Sequence, residues 1–257
     1  ALLLFPDAPR PEWKEVLFIR RSDEKTRIWE GWKYSAQEAS DASGVTNIRY
    51  REELDGYLRN CLAYASGVYL DFNEYERNSH FTPGAAHRFA LRLRDEWPAT
   101  ALHRAAPVLR DLRTFKSEEE LLQIRVACSI TEKAFRRVLG FVRPGVWEYE
   151  VEAEVQHEFL RNRATGPAYS SIIASGQNAC VLHYVLNNAQ CRDGEMLLMD
   201  FGAEYGNYSA DLSRTIPVSG RFSRRQKEVY NAVLRILREV SRLAVPGKLP
   251  RDWQKEA

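Results

Sequence analysis

The stretch Glu195-Met196-Leu197-Leu198-Met199-Asp200-Phe201-Gly202-Ala203-Glu204-Tyr205-Gly206-Asn207-Tyr208-Ser209-Ala210-Asp211-Leu212-Ser213-Arg214-Thr215-Ile216-Pro217-Val218 decides how the chain folds. Gly206-Asn207 stands between two apolar and aromatic runs and marks a two-residue hairpin loop. With those two residues as the loop, counting sets the register: Tyr205 faces Tyr208, Ala203 faces Ala210 and Gly202 faces Asp211. Asp200 lies two residues before Gly202, so Asp200 and Asp211 share one sheet face as diagonal neighbours, with Cα atoms about 7–8 Å apart. Gly202, without a side chain, is expected to leave space between them.

Two ionised carboxylates that close repel unless something positive lies between them. A pair of divalent cations bridged by carboxylate oxygens, or a shared proton, would relieve the repulsion. More commonly an Asp on a hairpin pairs with a nearby base, here Arg214, or caps a turn. Asp200, however, ends the apolar run Leu197-Leu198-Met199, which is expected to be buried on both faces. An uncompensated carboxylate there would be costly.

The rest of the chain bounds what such a hairpin belongs to. It has 257 residues, 44% hydrophobic and 28% charged, as in a soluble globular protein of one large or two smaller domains. Disorder, collagen and membrane spanning are excluded. Thirty-seven Lys and Arg against 35 Asp and Glu leave a net charge of +2, which argues against nucleic acid or an anionic membrane as the main partner. Cys61, Cys128, Cys180 and Cys191 contain no C-x-x-C pair and are expected to be buried free thiols in a reducing cytoplasm. No targeting segment is read in the short run from Ala1 to Phe5.

Residues 1–112 alternate apolar runs with helical stretches, an α/β pattern. Strands are expected at residues 15–20 and 67–72, and helices at 51–65 and 85–97. A charged seam at residues 110–116 leads to Ser117-Glu118-Glu119-Glu120, a capping box that opens a second domain over 113–257. Leu121, Ile124, Cys128, Thr131, Phe135 and Val138 mark the buried face of its first helix. Val151, Val155 and Phe159 mark a second, and Val229, Tyr230, Val233, Ile236, Leu237 and Val240 a third that starts at Ser223.

The hairpin, with Asp200-Phe201-Gly202-Ala203-Glu204-Tyr205 and Asp211-Leu212-Ser213-Arg214-Thr215, closely resembles the metal-binding hairpin of the pita-bread metallopeptidases, and most of all the aminopeptidase P branch. The segment from Tyr169 to Tyr184 is similar to the part of that family that places a substrate-binding His beside the metals. The resemblance covers residues 110–250, and Trp29-Glu30-Gly31 is the nearest match to the family's ribonuclease-H-like N-terminal domain. It implies an α/β (α+β) chain: that N-terminal domain over 1–112, then the first half of a pita-bread catalytic domain over 113–257. Asp200 would bind one metal and Asp211 would bridge two, expected to be manganese because the donors are oxygens, though magnesium, cobalt or zinc also fit. His183, by itself more often a satisfied structural residue, would contact the substrate near the scissile carbonyl as the catalytic and substrate-binding histidine. His80, His87, His103 and His157 are read as surface or interface residues.

The activity implied is release of the N-terminal residue from peptides with proline second, by a hydroxide held between the metals attacking the Xaa-Pro carbonyl. The partner is then a peptide, and homo-oligomers through the N-terminal domain are expected by the same resemblance. The family pattern also requires a His and two Glu downstream of the Asp pair. The last histidine here is His183, and after Asp211 the only carboxylates are Glu228, Glu239, Asp252 and Glu256. Glu228 and Glu239 read as a solvated helix face. The expectation is therefore a chain lacking its start and the second half of its catalytic domain, with weak or no metal binding and an exposed apolar face on the Leu197 to Val218 hairpin when alone. Alternatives are an Xaa-Pro dipeptidase, a non-catalytic peptide- or protein-binding member should the chain be complete, and creatinase-like chemistry, which has no use for the Asp pair.

Overall fold

The computed structural model describes residues 1–72 and 83–256, and it divides into two compact units, Ala1–Phe115 and Lys116–Ala257. In the first unit β1 (Leu2–Leu4) runs antiparallel to β2 (Glu15–Ile19). After α1 (Glu24–Glu30) and α2 (Ala36–Ser43), β3 (Ile48–Tyr50) pairs parallel with β2. The chain continues through α3 (Leu54–Leu62), β4 (Gly67–Leu70), α4 (Ala85–Glu96), β5 (Ala101–Arg104) and α5 (Ala106–Thr114), with β4 and β5 paired in parallel. Val16 and Phe18 alternate into the core of this unit, where Phe18 meets Tyr57 edge to face at 5.6 Å.

Three local expectations shift. The helix read over 51–65 opens as a 3-10 turn at Arg51–Glu53, because the Glu53 carboxylate accepts from the Tyr50 N–H (2.8 Å) before α3 begins. The strand read over 67–72 ends at Leu70. The charged seam is helical as far as Thr114, being the end of α5. His87, His103 and His157 are exposed, and His103 stacks on Tyr69. His80 lies outside the described residues.

The second unit opens at the capping box. The Glu120 carboxylate accepts from the Ser117 N–H (2.7 Å), and the Ser117 hydroxyl oxygen accepts from the Glu120 N–H (3.3 Å). This starts α6 (Glu118–Phe141), which packs on α7 (Glu148–Arg161). Next come β6 (Gly166–Pro167), β7 (Ile172–Ser175), β8 (Met196–Phe201), β9 (Ala203–Tyr205), β10 (Tyr208–Ser209), β11 (Leu212–Pro217), α8 (Arg224–Leu243) and α9 (Pro250–Glu256). Two short antiparallel sheets result, β11-β8-β7 and β10-β9-β6. Ile130, Ala134 and Val138 of α6 and Val151, Val155 and Phe159 of α7 form one core with Leu197, Met199 and Phe201 of β8. Phe159 and Phe201 lie 6.2 Å apart at its centre.

Leu197-Leu198-Met199 is not buried on both faces. Leu197, Met199 and Phe201 are fully enclosed, whereas Met196, Leu198 and Asp200 are half-buried. α8 also departs from expectation, since none of its residues is buried: Val229, Val233, Ile236 and Leu237 stay roughly half exposed. Between this helix and Met196, Leu198 and Thr215 runs an apolar groove of about 610 Å³. The exposed apolar face expected on the hairpin is not found: Met196 and Leu198, on the side that carries Asp200, are half-buried and line this groove, and the exposed apolar side chains beside it are those of α8. No disulfide joins the cysteines; Cys61 and Cys191 are buried, while Cys128 and Cys180 are exposed, contrary to the reading of four buried thiols. Burial pushes the Cys191 thiol up to about 11 and raises that of Cys61 as well.

Candidate metal centre

Asp200 sits near the end of β8, opposite Ser213 of β11 and Ile172 of β7. One register holds along the whole hairpin, with Phe201 opposite Leu212, Glu204 opposite Ser209 and Tyr205 opposite Tyr208. Between them the Ala210 N–H donates to the Ala203 carbonyl at 3.0 Å, so Gly202 lies across from Asp211 as the count from Gly206-Asn207 requires. Gly202 itself does something other than expected. A Cβ there would lie 1.7 Å from the Ala210 carbonyl oxygen and 2.5 Å from its carbon. The glycine admits the neighbouring backbone and does not leave empty space between the carboxylates.

That close approach coincides with the break between the two sheets, and α6 supports it from below. The Thr131 hydroxyl donates to the Ala127 carbonyl and accepts from the Ala203 N–H, both at 2.9 Å, with Thr131 and Ala203 buried. Thr131→Val keeps the shape and strands that N–H, so it is expected to lower the unfolding free energy by about 1–3 kcal/mol. Urea melts with an unchanged slope would read this, and a loss below about 0.5 kcal/mol would show that Ala203 finds another acceptor.

A hydroxyl fills the space between the carboxylates. Tyr169 reaches it because β6 pairs with β9, Pro167 lying opposite Ala203, and the Ala168 N–H donates to the Gly202 carbonyl at 2.8 Å. Its hydroxyl stands 2.6 Å from Asp200 Oδ1 and 3.1 Å from Asp211 Oδ1. Burial, the hydrogen bond to Asp200 and the two carboxylate charges together hold the phenol well above its ordinary value, so it is a donor here at any physiological pH. Arg214 donates to the Ser213 carbonyl (2.7 Å), not to either aspartate.

His183, Asp200 and Asp211 all line one open cleft of about 410 Å³, with Tyr169, Ser170 and Ile172 in its wall. The sequence reading gave Tyr169 no part in the site. Its signal was its place at the head of the segment that ends in His183, but only the pairing of β6 with β9 shows where the phenol points. Among the described residues no group of three His, Cys, Asp or Glu is assembled that could hold a metal. The two carboxylates, on one face and open to a cleft, fit as oxygen donors to a divalent cation and provide part of a donor set. Of the later carboxylates, Glu228 pairs with Arg224 and Arg225, Glu239 with Arg242 and Glu256 with Lys248, while Asp252 accepts from the Leu249 N–H.

An acid pair on a strand hairpin, backed by two packed helices and preceded by a smaller α/β unit, is the architecture of a class of metallopeptidases. Residues 122–257, more than half of the chain, match metallopeptidase family M24, and the chain belongs to that family. Residues 1–69 match the N-terminal domain of aminopeptidase P. The Xaa-Pro aminopeptidase of Escherichia coli is 37% identical over 234 residues, 90% of this chain and 53% of that protein. A mouse Xaa-Pro dipeptidase is 31% identical over 243 residues, 91% of this chain and 47% of that protein. A zinc-substituted E. coli aminopeptidase P in complex with product superposes with a TM-score of 0.82 at 35% identity, covering 94% of this chain and 55% of that one. The chain thus spans about half the length of the curated relatives it matches.

Proposed function

We propose that the chain belongs to a metal-dependent aminopeptidase that releases the N-terminal residue from peptides with proline in the second position. The observation that carries this reading is the meeting of His183, Asp200 and Asp211 in one cleft on an M24 fold. Divalent ions bound there would act as Lewis acids toward the peptide carbonyl and lower the pKa of water at neutral pH. Asp200 would hold one ion and Asp211 would bridge two. His183, exposed at the cleft wall, would bind substrate beside the scissile carbonyl. Tyr169 would orient the two carboxylates through its hydroxyl. Oxygen donors favour manganese within this reading, and a cytoplasmic, homo-oligomeric enzyme without nucleic-acid or membrane partners belongs to it too. Among the described residues no helix is long and apolar enough to cross a membrane.

The higher identity to an aminopeptidase than to a dipeptidase favours peptides over Xaa-Pro dipeptides. The test compares Xaa-Pro-Xaa tripeptides with Xaa-Pro dipeptides in the intact protein, before and after chelation. Release of the first residue from the tripeptide, abolished by chelator and restored by manganese, is the expected outcome. Cleavage of the dipeptide alone would replace the reading with a dipeptidase, and chelator-resistant cleavage would sink the metal assignment.

A further inference from the structure

His183 sits on a segment with little of its own to hold it in place. Val181, Leu182, Val185 and Leu186 are 53–84% exposed, and only Tyr184 and Asn187 turn inward. Asn187, in the left-handed region at φ 45°, accepts from the Ile173 N–H and donates to the Ser171 carbonyl and to Glu152 of α7. Tyr184 donates to Glu148 Oε2 at 2.7 Å. Glu148, in the first turn of α7, is completely buried.

Its carboxylate receives far more than that one bond. Oε1 accepts from the Ser175 N–H (2.7 Å), the Ser175 hydroxyl (2.8 Å) and the Asn178 amide (3.2 Å), and Oε2 also accepts from the Ala189 N–H (2.9 Å). Ser175 and Ala189 are the two ends of the segment that carries His183, so one carboxylate closes the loop at its neck and pins it in the middle. Burial alone would raise this acid; the donors outweigh burial and hold it below the ordinary glutamate value, so the clasp is ionised at neutral pH. The start of α7 favours the same charge.

We propose that Glu148 is the positioning residue for His183: its carboxylate clasps both ends of the 176–188 segment and, through Tyr184, fixes the neighbouring peptide so that the imidazole faces the cleft. What His183 does once positioned rests on the peptidase reading; the clasp does not. It is therefore tested on the chain without metal or substrate, where failure of either idea is visible separately.

Glu148→Gln keeps the shape but replaces one acceptor oxygen by an amide that cannot accept, stranding buried donors. Amide hydrogen exchange over residues 176–190 should rise about tenfold or more while α6 stays protected. The His183 imidazole resonance should move, and that of His157, which shares α7 with Glu148, should not. Tyr184→Phe removes a single hydroxyl and should give the same local pattern, deciding the matter if Glu148→Gln fails to fold. Unchanged exchange, a rise shared equally by every helix, or a looser segment with an unmoved His183 resonance would each overturn the proposal.

Discussion

If Asp211 bridges the metal ions as proposed, Asp211→Ala in the intact protein is expected to cut Xaa-Pro hydrolysis and manganese affinity each by about 100-fold or more. Residues that merely orient metal ligands typically cost about 10–100-fold when removed, so loss of the proposed ligand should meet or exceed that range. Asp211 is also the more exposed of the pair, its carboxylate reached by Tyr169 at 3.1 Å, so the change removes a donor without opening the core. Folding should survive and the chemistry should not. Glu239→Ala, on the exposed side of α8 and paired with Arg242, is the matching control and should leave activity unchanged. Peptide hydrolysis measured alongside calorimetric manganese titration reads both quantities. Asp211→Ala activity within about threefold of the parent would remove Asp211 from the site.

Gly202→Ala should be the most damaging one-carbon change in the second unit. Its Cβ would overlap the Ala210 carbonyl, and that oxygen belongs to backbone held by the Ala203–Ala210 hydrogen bond, with no flexible side chain to swing aside. The strands must part between Asp200 and Asp211. A stability loss of about 3 kcal/mol is expected, at the upper end for overpacking, together with loss of the carboxylate spacing and hence of the metal affinity proposed for the pair. Gly140, near the end of α6 with open space around it, provides the contrast, since alanine there meets nothing. A Gly202→Ala variant as stable as the parent would mean that the two sheets can separate at little cost.

How much of this was legible in the sequence follows from how local each determinant is. The hairpin register could be counted from Gly206-Asn207 because a tight turn fixes pairing for every residue that follows. The capping box at Ser117, the start of α8 after Ser223 and the apolar face of α7 were likewise visible, being set by residues three or four apart. The sheet face shared by Asp200 and Asp211 came from the same count. Misjudged features depend on partners distant in sequence. The role of Gly202 depends on how closely Ala210 approaches, and the part played by Tyr169 on a strand pairing thirty-odd residues away. Glu148 looks like an ordinary first-turn glutamate until Ser175, Tyr184 and Ala189 fold over it. The α8 face reads as core because amphipathic spacing reports which side is apolar and says nothing about whether anything covers it.

The uneven burial of the cysteines makes the chain its own gauge of folding. Cys128 and Cys180 lie open to solution, whereas Cys61 and Cys191 are enclosed, the latter with its thiol held up to about 11 and so protonated at neutral pH. A thiol-reactive dye added to native protein therefore meets two reactive groups quickly, and it meets all four once the fold is lost. Counting equivalents of dye distinguishes a variant that has lost only its site from one that has lost its structure. Cys180, three places before His183 in sequence and exposed, also offers a covalent foothold for a fluorophore on the His183 segment without any engineered residue.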